Sequence, residues 1–282
     1  MRAEQITAAV AEHGEGPVWS SDWGGLRWVD MLAGDVLHLE GDARVTRVHL
    51  ADVVAVIRPR STGGIVVATR DEVRAGFDLA ELHTVARLGL SANLRLNDGC
   101  CDPDGRLLCG SMAYDETPGA GALYAVSSDG TVRVVAEGVG ISNGLGFDRA
   151  GKHAFYVDTV TQRIDVFDYS QDEGLTARRP WAFVDRSYGR PDGLAVDAEG
   201  GVWVALFGGS AVARFAPDGT LVDLVRLPVR QVTSCAFGGP GLRTLFVTTS
   251  RHGLADPEPA AGALFAVPDC DVAGIPTLTF AA

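Results

Sequence analysis

Six times along this chain a short apolar run, a tight turn and a second apolar run recur in the same phase, and no other feature restricts the fold as much. Three segments align without gaps: Asn97 to Asp102 (NDGCCD), Asn143 to Asp148 (NGLGFD) and Asp192 to Asp197 (DGLAVD). Each leads into a turn, at Pro103-Asp104-Gly105, Arg149-Ala150-Gly151 and Ala198-Glu199-Gly200. A run of strand-forming residues follows each turn (RLLCG, KHAFYVD, GVWVAL). Weaker copies start at Glu15, Val53 and Thr233, so starts at 15, 53, 97, 143, 192 and 233 lie 38, 44, 46, 49 and 41 residues apart. This is the ~40–50-residue period of a four-stranded propeller blade.

Later segments fit the same unit: ALYAVSS, RIDVFDYS, AVARFAPDG and ALFAVPD alternate apolar and polar residues and read as third strands. Most intervals between Gly-containing turns are shorter than the ~12 residues a stable helix needs. The one helix-like stretch, Asp71 to Leu82, contains Gly76 and keeps the repeat phase, so strands are expected there as well. The expected architecture is all-β: one six-bladed β-propeller of four-stranded antiparallel blades, a single domain over residues 1–282. The terminal segments should complete a blade and close the ring.

Composition narrows the function classes. Glycine supplies 35 of 282 residues, close to twice the average share of about 7%, as frequent turns or close backbone approaches require. Lys+Arg 24 against Asp+Glu 36 gives a net charge of −12, which repels nucleic-acid phosphates, so no nucleic-acid partner is expected. Lys152 is the sole lysine and sits in a polar turn, a poor position for a Schiff-base nucleophile. The N-terminal MRAEQITAAVAEHGEG lacks the apolar core of a secretory signal, and no apolar run reaches the ~18 residues of a membrane span. No membrane association is expected, and the location is read as cytoplasmic. Five cysteines without C-x-x-C spacing fit reduced, mostly buried thiols.

In a propeller the innermost strand of each blade lines the central channel, so equivalent positions converge on one axial site. The first residues of the six units are Glu15, Val53, Asn97, Asn143, Asp192 and Thr233. Two carboxylates and two carboxamides supply hard oxygen ligands suited to Ca²⁺, Mg²⁺ or Mn²⁺ and acceptable to Zn²⁺. Asn-Gly and Asp-Gly are also strong turn signals, but their common phase marks the channel ends of short inner strands. Gly140 to Gly144 satisfies G-x-S-x-G around Ser142, yet a turn and a strand follow where a nucleophile elbow needs a helix. His13, two residues before Glu15, would share that strand's face and could carry a proton, although packing is the default role.

Gly14-Glu-Gly-Pro-Val-Trp19, Arg95-Leu-Asn-Asp-Gly99, Ser142-Asn-Gly144, Pro191-Asp-Gly-Leu194, Val232-Thr-Ser-Cys-Ala-Phe237 and Ala261-Gly-Ala-Leu-Phe265 together resemble the gluconolactonase/regucalcin (senescence marker protein) family, from about residue 8 onward. The resemblance implies a six-bladed propeller holding one divalent metal ion (Ca, Zn, Mn, Mg or Fe) through Glu15, Asn143 and Asp192. It implies substrate contacts from Arg95, Asn97 and Asp115, and hydrolysis of a small-molecule sugar lactone to the aldonic acid. In such a site Asp192 could act as the catalytic residue that both ligates the metal and takes the proton, set against the bound water's own acidity, because a carboxylate beside a divalent cation is a weak base. Where relatives often carry a lysine after N-D-G this chain has Cys100, and Asp115 occupies a place that can be glutamate; both are expected to affect substrate choice. The competing readings are a broader esterase or lactonase at the same site and a calcium-binding, regulatory propeller without turnover. The sequence leaves monomer and dimer equally open.

Overall fold

The computed structural model describes residues 1–41 and 43–281. Its strands form six four-stranded antiparallel sheets arranged as the blades of a propeller. A short strand, β1 (Glu4–Gln5), comes first. Blade I is β2 (Gly14–Ser20), β3 (Gly25–Asp30), β4 (Asp35–Leu39) and β5 (Val45–His49); blade II is β6 (Val54–Pro59), β7 (Ile65–Thr69), β8 (Glu72–Gly76) and β9 (His83–Arg87). Blade III is β10 (Leu94–Cys101), β11 (Leu107–Ala113), β12 (Gly121–Val126) and β13 (Val132–Val139). Blade IV is β14 (Ser142–Phe147), β15 (His153–Asp158), β16 (Arg163–Ser170) and β17 (Gly174–Phe183). Blade V is β18 (Arg190–Val196), β19 (Val202–Phe207), β20 (Ala211–Phe215) and β21 (Leu221–Arg226). Blade VI is β22 (Val232–Gly238), β23 (Thr244–Thr249) and β24 (Phe265–Val267), with β1 as its outer strand. The ring thus closes through Glu4 opposite Ala266 and Gln5 opposite Phe265, as the terminal segments were expected to do. The helix-like stretch after Asp71 forms β8. Among the described residues no helix is long and apolar enough to cross a membrane.

The inner strands differ from the sequence expectation in one respect. The Asn-Gly and Asp-Gly pairs do not end short strands but lie inside longer ones. All six inner strands shift register there, between Glu15 and Val18, Val54 and Val56, Leu96 and Gly99, Ser142 and Leu145, Pro191 and Leu194, and Val232 and Ser234. A β-bulge bends the strand and re-aims a side chain, so the repeat turns one residue per blade off the sheet. Space dictates glycine beside it. A Cβ on Gly193 would stand 2.1 Å from Ser234 Oγ of the next blade, and one on Gly144 would stand 2.5 Å from the Leu194 amide nitrogen.

The aspartate ending each strong repeat copy ties off the inner hairpin. Asp197, fully buried, accepts from the amides of Glu199 (3.0 Å) and Gly201 (2.8 Å), from Trp203 Nε1 (3.0 Å) and from Arg214 Nη2 (2.9 Å). Asp102 does the same for Arg106. Removing such an acceptor strands several donors and a guanidinium. Asp197→Ala should therefore cost about 3–5 kcal/mol, read as a fall in the urea midpoint, while Glu199→Ala at the exposed neighbour changes it little.

After β24 the chain crosses the end of the propeller where these hairpin turns lie. Gly274 bridges Asp197 of blade V, Thr277 Oγ1 donates to the Trp19 carbonyl of blade I at 2.9 Å, and Phe280 bridges Arg60 of blade II. Ala281 donates to the Gly105 carbonyl of blade III at 2.8 Å. The fully buried Phe280 packs among Ala55, Val66, Leu96 and Leu107, so this tail joins blades that are not neighbours in sequence.

Candidate active site

The bulged positions of four blades meet at the end of the channel opposite the tail. Glu15 on β2, Asn97 on β10, Asn143 on β14 and Asp192 on β18 line one pocket of about 190 Å³, and each is 4–6% exposed. The other two repeat starts stay out of it: Val53 joins the core between blades I and II, and Thr233 spends its hydroxyl on the Gly14 carbonyl at 2.6 Å. Their side chains offer no strong ligand, which fits a site built on four blades of six.

A chain of hydrogen bonds orients the carboxamides. Arg95 Nη1 donates to Asn97 Oδ1; Asn97 Nδ2 donates to Asn143 Oδ1 at 3.0 Å and to the Ser142 carbonyl at 2.8 Å. Asn143 Nδ2 in turn donates to Thr159 Oγ1 at 2.8 Å, and that hydroxyl donates to the Pro191 carbonyl at 2.8 Å. With its NH₂ committed outward, Asn143 keeps the oxygen toward the pocket. Thr159, which the sequence reading missed, sets this orientation; it lies outside the repeat motif, in the loop after β15, so periodicity gave no sign of it.

The carboxylates stand in the opposite condition. Among the described residues Glu15 Oε2 accepts only from the Gly16 amide (3.0 Å), and Asp192 Oδ1 is buried with no hydrogen-bond partner. Burial, then the charge of Asp98, pushes the Glu15 carboxyl up to about 8. Burial, then Glu15, then Asp98, pushes Asp192 well above the usual carboxylate range. Buried like charges without compensation are costly. A divalent cation would offset both charges, give Asp192 Oδ1 a partner and take the fixed oxygen of Asn143, so the residues fit the metal expected from the sequence. Among the described residues no three of His, Cys, Asp and Glu cluster in ligating geometry, so a carboxamide is needed to complete the set.

Around this centre the remaining assignments separate. Arg95 is buried, its side chain 5.8 Å from the Tyr114 ring, and burial pulls its guanidinium below the usual range. His13 Nδ1 is 2.8 Å from Ser250 Oγ, and its ring meets that of His252 edge to face at 5.7 Å. Burial, then Arg95 and His252, holds His13 down to about 3, which makes it a neutral packing group at pH 7 and a weak base. Asp115 does not line the pocket. Its carboxylate is exposed and folds back on the Thr117 amide (3.1 Å) and hydroxyl (2.7 Å), while the next residue, Glu116, lines the mouth and pairs with Arg190 at 3.0 Å. The tight turn after β11 aims alternate side chains apart, which spacing alone does not reveal. Cys100 lies at the other end of the channel and not beside the pocket of Glu15 and Asp192. Ser142 is buried within β14 and accepts from Tyr156 Oη at 2.8 Å, which leaves the G-x-S-x-G match without a nucleophile.

Comparison with known proteins adds to this geometry. The model of the SMP-30/gluconolactonase/LRE-like region matches residues 13–251. Pentonolactonase XacC of Haloferax volcanii is 34% identical over 277 residues, covering 94% of this chain and 94% of that protein. Regucalcin of Homo sapiens is 34% identical over 284 residues, covering 95% and 94%. Among solved structures, the calcium-binding protein regucalcin of Agrobacterium tumefaciens superposes with a TM-score of 0.89 at 28% identity, covering 96% of this chain and 94% of that one.

Proposed function

The chain belongs to the SMP-30/gluconolactonase/LRE-like family, and from that premise we propose that it hydrolyses the lactone of a sugar acid, with one divalent cation held by Glu15, Asn143 and Asp192. The observation that carries this reading is the buried, unpartnered Oδ1 of Asp192 beside a second carboxylate that burial also disfavours. When bound, a divalent cation supplies Lewis-acid polarisation of the lactone and lowers the pKa of a bound water. Oxygen-rich sites of this kind accept calcium, zinc, manganese, magnesium or iron.

The chain's own groups do the rest. Asp192 is the carboxylate placed to accept the proton of the attacking water. Among the described residues Arg95 commits only Nη1, to Met31 Sδ, the Leu96 carbonyl and Asn97 Oδ1, so its Nε and Nη2 are left for ring hydroxyls. Asn97 has both ends of its amide committed within the protein and acts by holding Arg95 and Asn143 in place. Asn97→Ala should lower kcat/KM by about 10–100-fold while one cation per chain still binds, measured by turnover and metal analysis on the same sample. At the mouth, Tyr114 and the Glu116–Arg190 pair bound the lactone, and Glu116 stands where Asp115 was expected to read its hydroxyls.

Proton release from a panel of five- and six-membered aldonolactones, with chelated and metal-reconstituted protein, tests the reading. Hydrolysis that returns with metal supports it. No rate above spontaneous opening for any metal and lactone overturns it, and tight calcium binding without turnover would replace it with a calcium-binding role.

A further inference from the structure

The channel has a second concavity, at the end that the tail crosses. Gly16, Asp98, Leu145, Leu194 and Ser234, each one or two places beyond a pocket-lining or repeat-start residue, line it, and Ile275 to Leu278 border it. At about 290 Å³ it is larger than the pocket of Glu15 and Asp192. Most of its wall is apolar: Val18, Leu145, Phe147, Leu194, Val196 and Phe237 retain 3–8% exposure there.

Four charged side chains interrupt that wall: Asp148, paired with His153, and the exposed Arg149 at its edge, and Asp98 and Arg58 further in. Asp98 is 7% exposed; its Oδ1 accepts from the Gly99 amide at 2.6 Å, and its Oδ2 has no hydrogen-bond partner among the described residues. Arg58 lies close enough to offset part of the upward push that burial exerts on the Asp98 carboxyl, and it spends Nη1 and Nη2 on the Ile57 and Gly99 carbonyls. Neither group takes part in the hydrolysis described above.

We propose that this cavity binds a small, uncharged, mainly apolar molecule of fused-bicyclic size that points one hydrogen-bond donor at Asp98 Oδ2. Size follows from volume: an apolar cavity of about 150 Å³ accommodates benzene, and this one has about twice that space. Neutrality follows from the opposed charges of Asp98 and Arg58, since a charged head of either sign would be attracted by one, repelled by the other and stripped of water. The donor follows from the unpartnered Oδ2 of a largely buried carboxyl, which can accept a hydrogen bond from a group entering the cavity.

Indole, with its single N–H, is a suitable probe, and indene has the same shape without the donor. Titration of the full protein, followed by saturation-transfer NMR, should give a Kd for indole of about 0.1–1 mM, with indene, tryptamine and indole-3-carboxylate all weaker. Saturation transferred between indole and the side chains of Leu145, Leu194 and Phe237, which line the cavity, should place the bound ring there. Cys100→Phe should abolish indole binding with the circular dichroism of the fold intact. No binding of indole below about 5 mM, equal binding of indole and indene, or stronger binding of either charged analogue overturns the proposal. So does unimpaired binding by folded Cys100→Phe; if that variant does not fold, absence of saturation transfer between indole and Leu145, Leu194 and Phe237 in the unmodified protein overturns it instead.

Discussion

Asp192→Asn is expected to reduce lactone turnover by about 10³-fold or more while leaving a folded protein that still takes up metal, though less tightly. The side-chain carbonyl that remains can ligate a cation, but the amide nitrogen cannot accept a proton. Asp192→Ala removes both capacities and should lose metal and activity together. The comparison separates Asp192's two proposed roles: if Asp192→Asn turned over at the parent rate with metal bound, the residue would be a ligand alone and the base would have to be sought elsewhere.

The second large effect is on stability in the absence of metal. A carboxyl held at about 8 in the folded chain, against the ordinary 4.5 of a glutamate, binds more protons folded than unfolded between those values. Its stabilising contribution is complete below the unfolded value and disappears as pH rises through 8. Asp192 is shifted the same way and adds to the trend. Chelated protein should therefore unfold at progressively lower temperature from about pH 5 to pH 8.5, by on the order of 10 °C. Glu15→Gln should flatten that slope and weaken metal binding. Scanning calorimetry across pH, with and without chelator, checks both statements; a midpoint that rises over this interval in chelated protein contradicts them.

Much of this was legible in the sequence because the blades repeat. A period sustained over six units carries information that no single short strand does, so the sheet count, the circular closure and the convergence of Glu15, Asn97, Asn143 and Asp192 could be read from phase alone. Departures arose where local geometry overrides phase. Asn143-Gly144 and Asp192-Gly193 have the composition of turns, but the glycines answer to a neighbouring backbone that leaves no room for a Cβ. Asp115 and Glu116 differ by one position, and the direction of a turn decides which carboxylate faces the pocket. Cys100 follows the site motif directly, yet strand direction carries it toward the opposite mouth. The tail was invisible for a simpler reason: residues 268–281 have no counterpart in the repeat, so periodicity says nothing about where Phe280 goes.

That tail also sets an order of events during synthesis. Glu4 waits for Ala266, and the Pro59 carbonyl waits for the Phe280 amide, so the first two blades stay unfastened until residue 280 has left the ribosome. Closure at such sequence separations is slow, and until it occurs the faces of blades I and VI that will meet, and the edge strand destined to pair with β1, are open to other chains. The yield of this protein should accordingly depend less on how fast each blade forms than on how well a nascent, five-sided ring is kept apart from its neighbours.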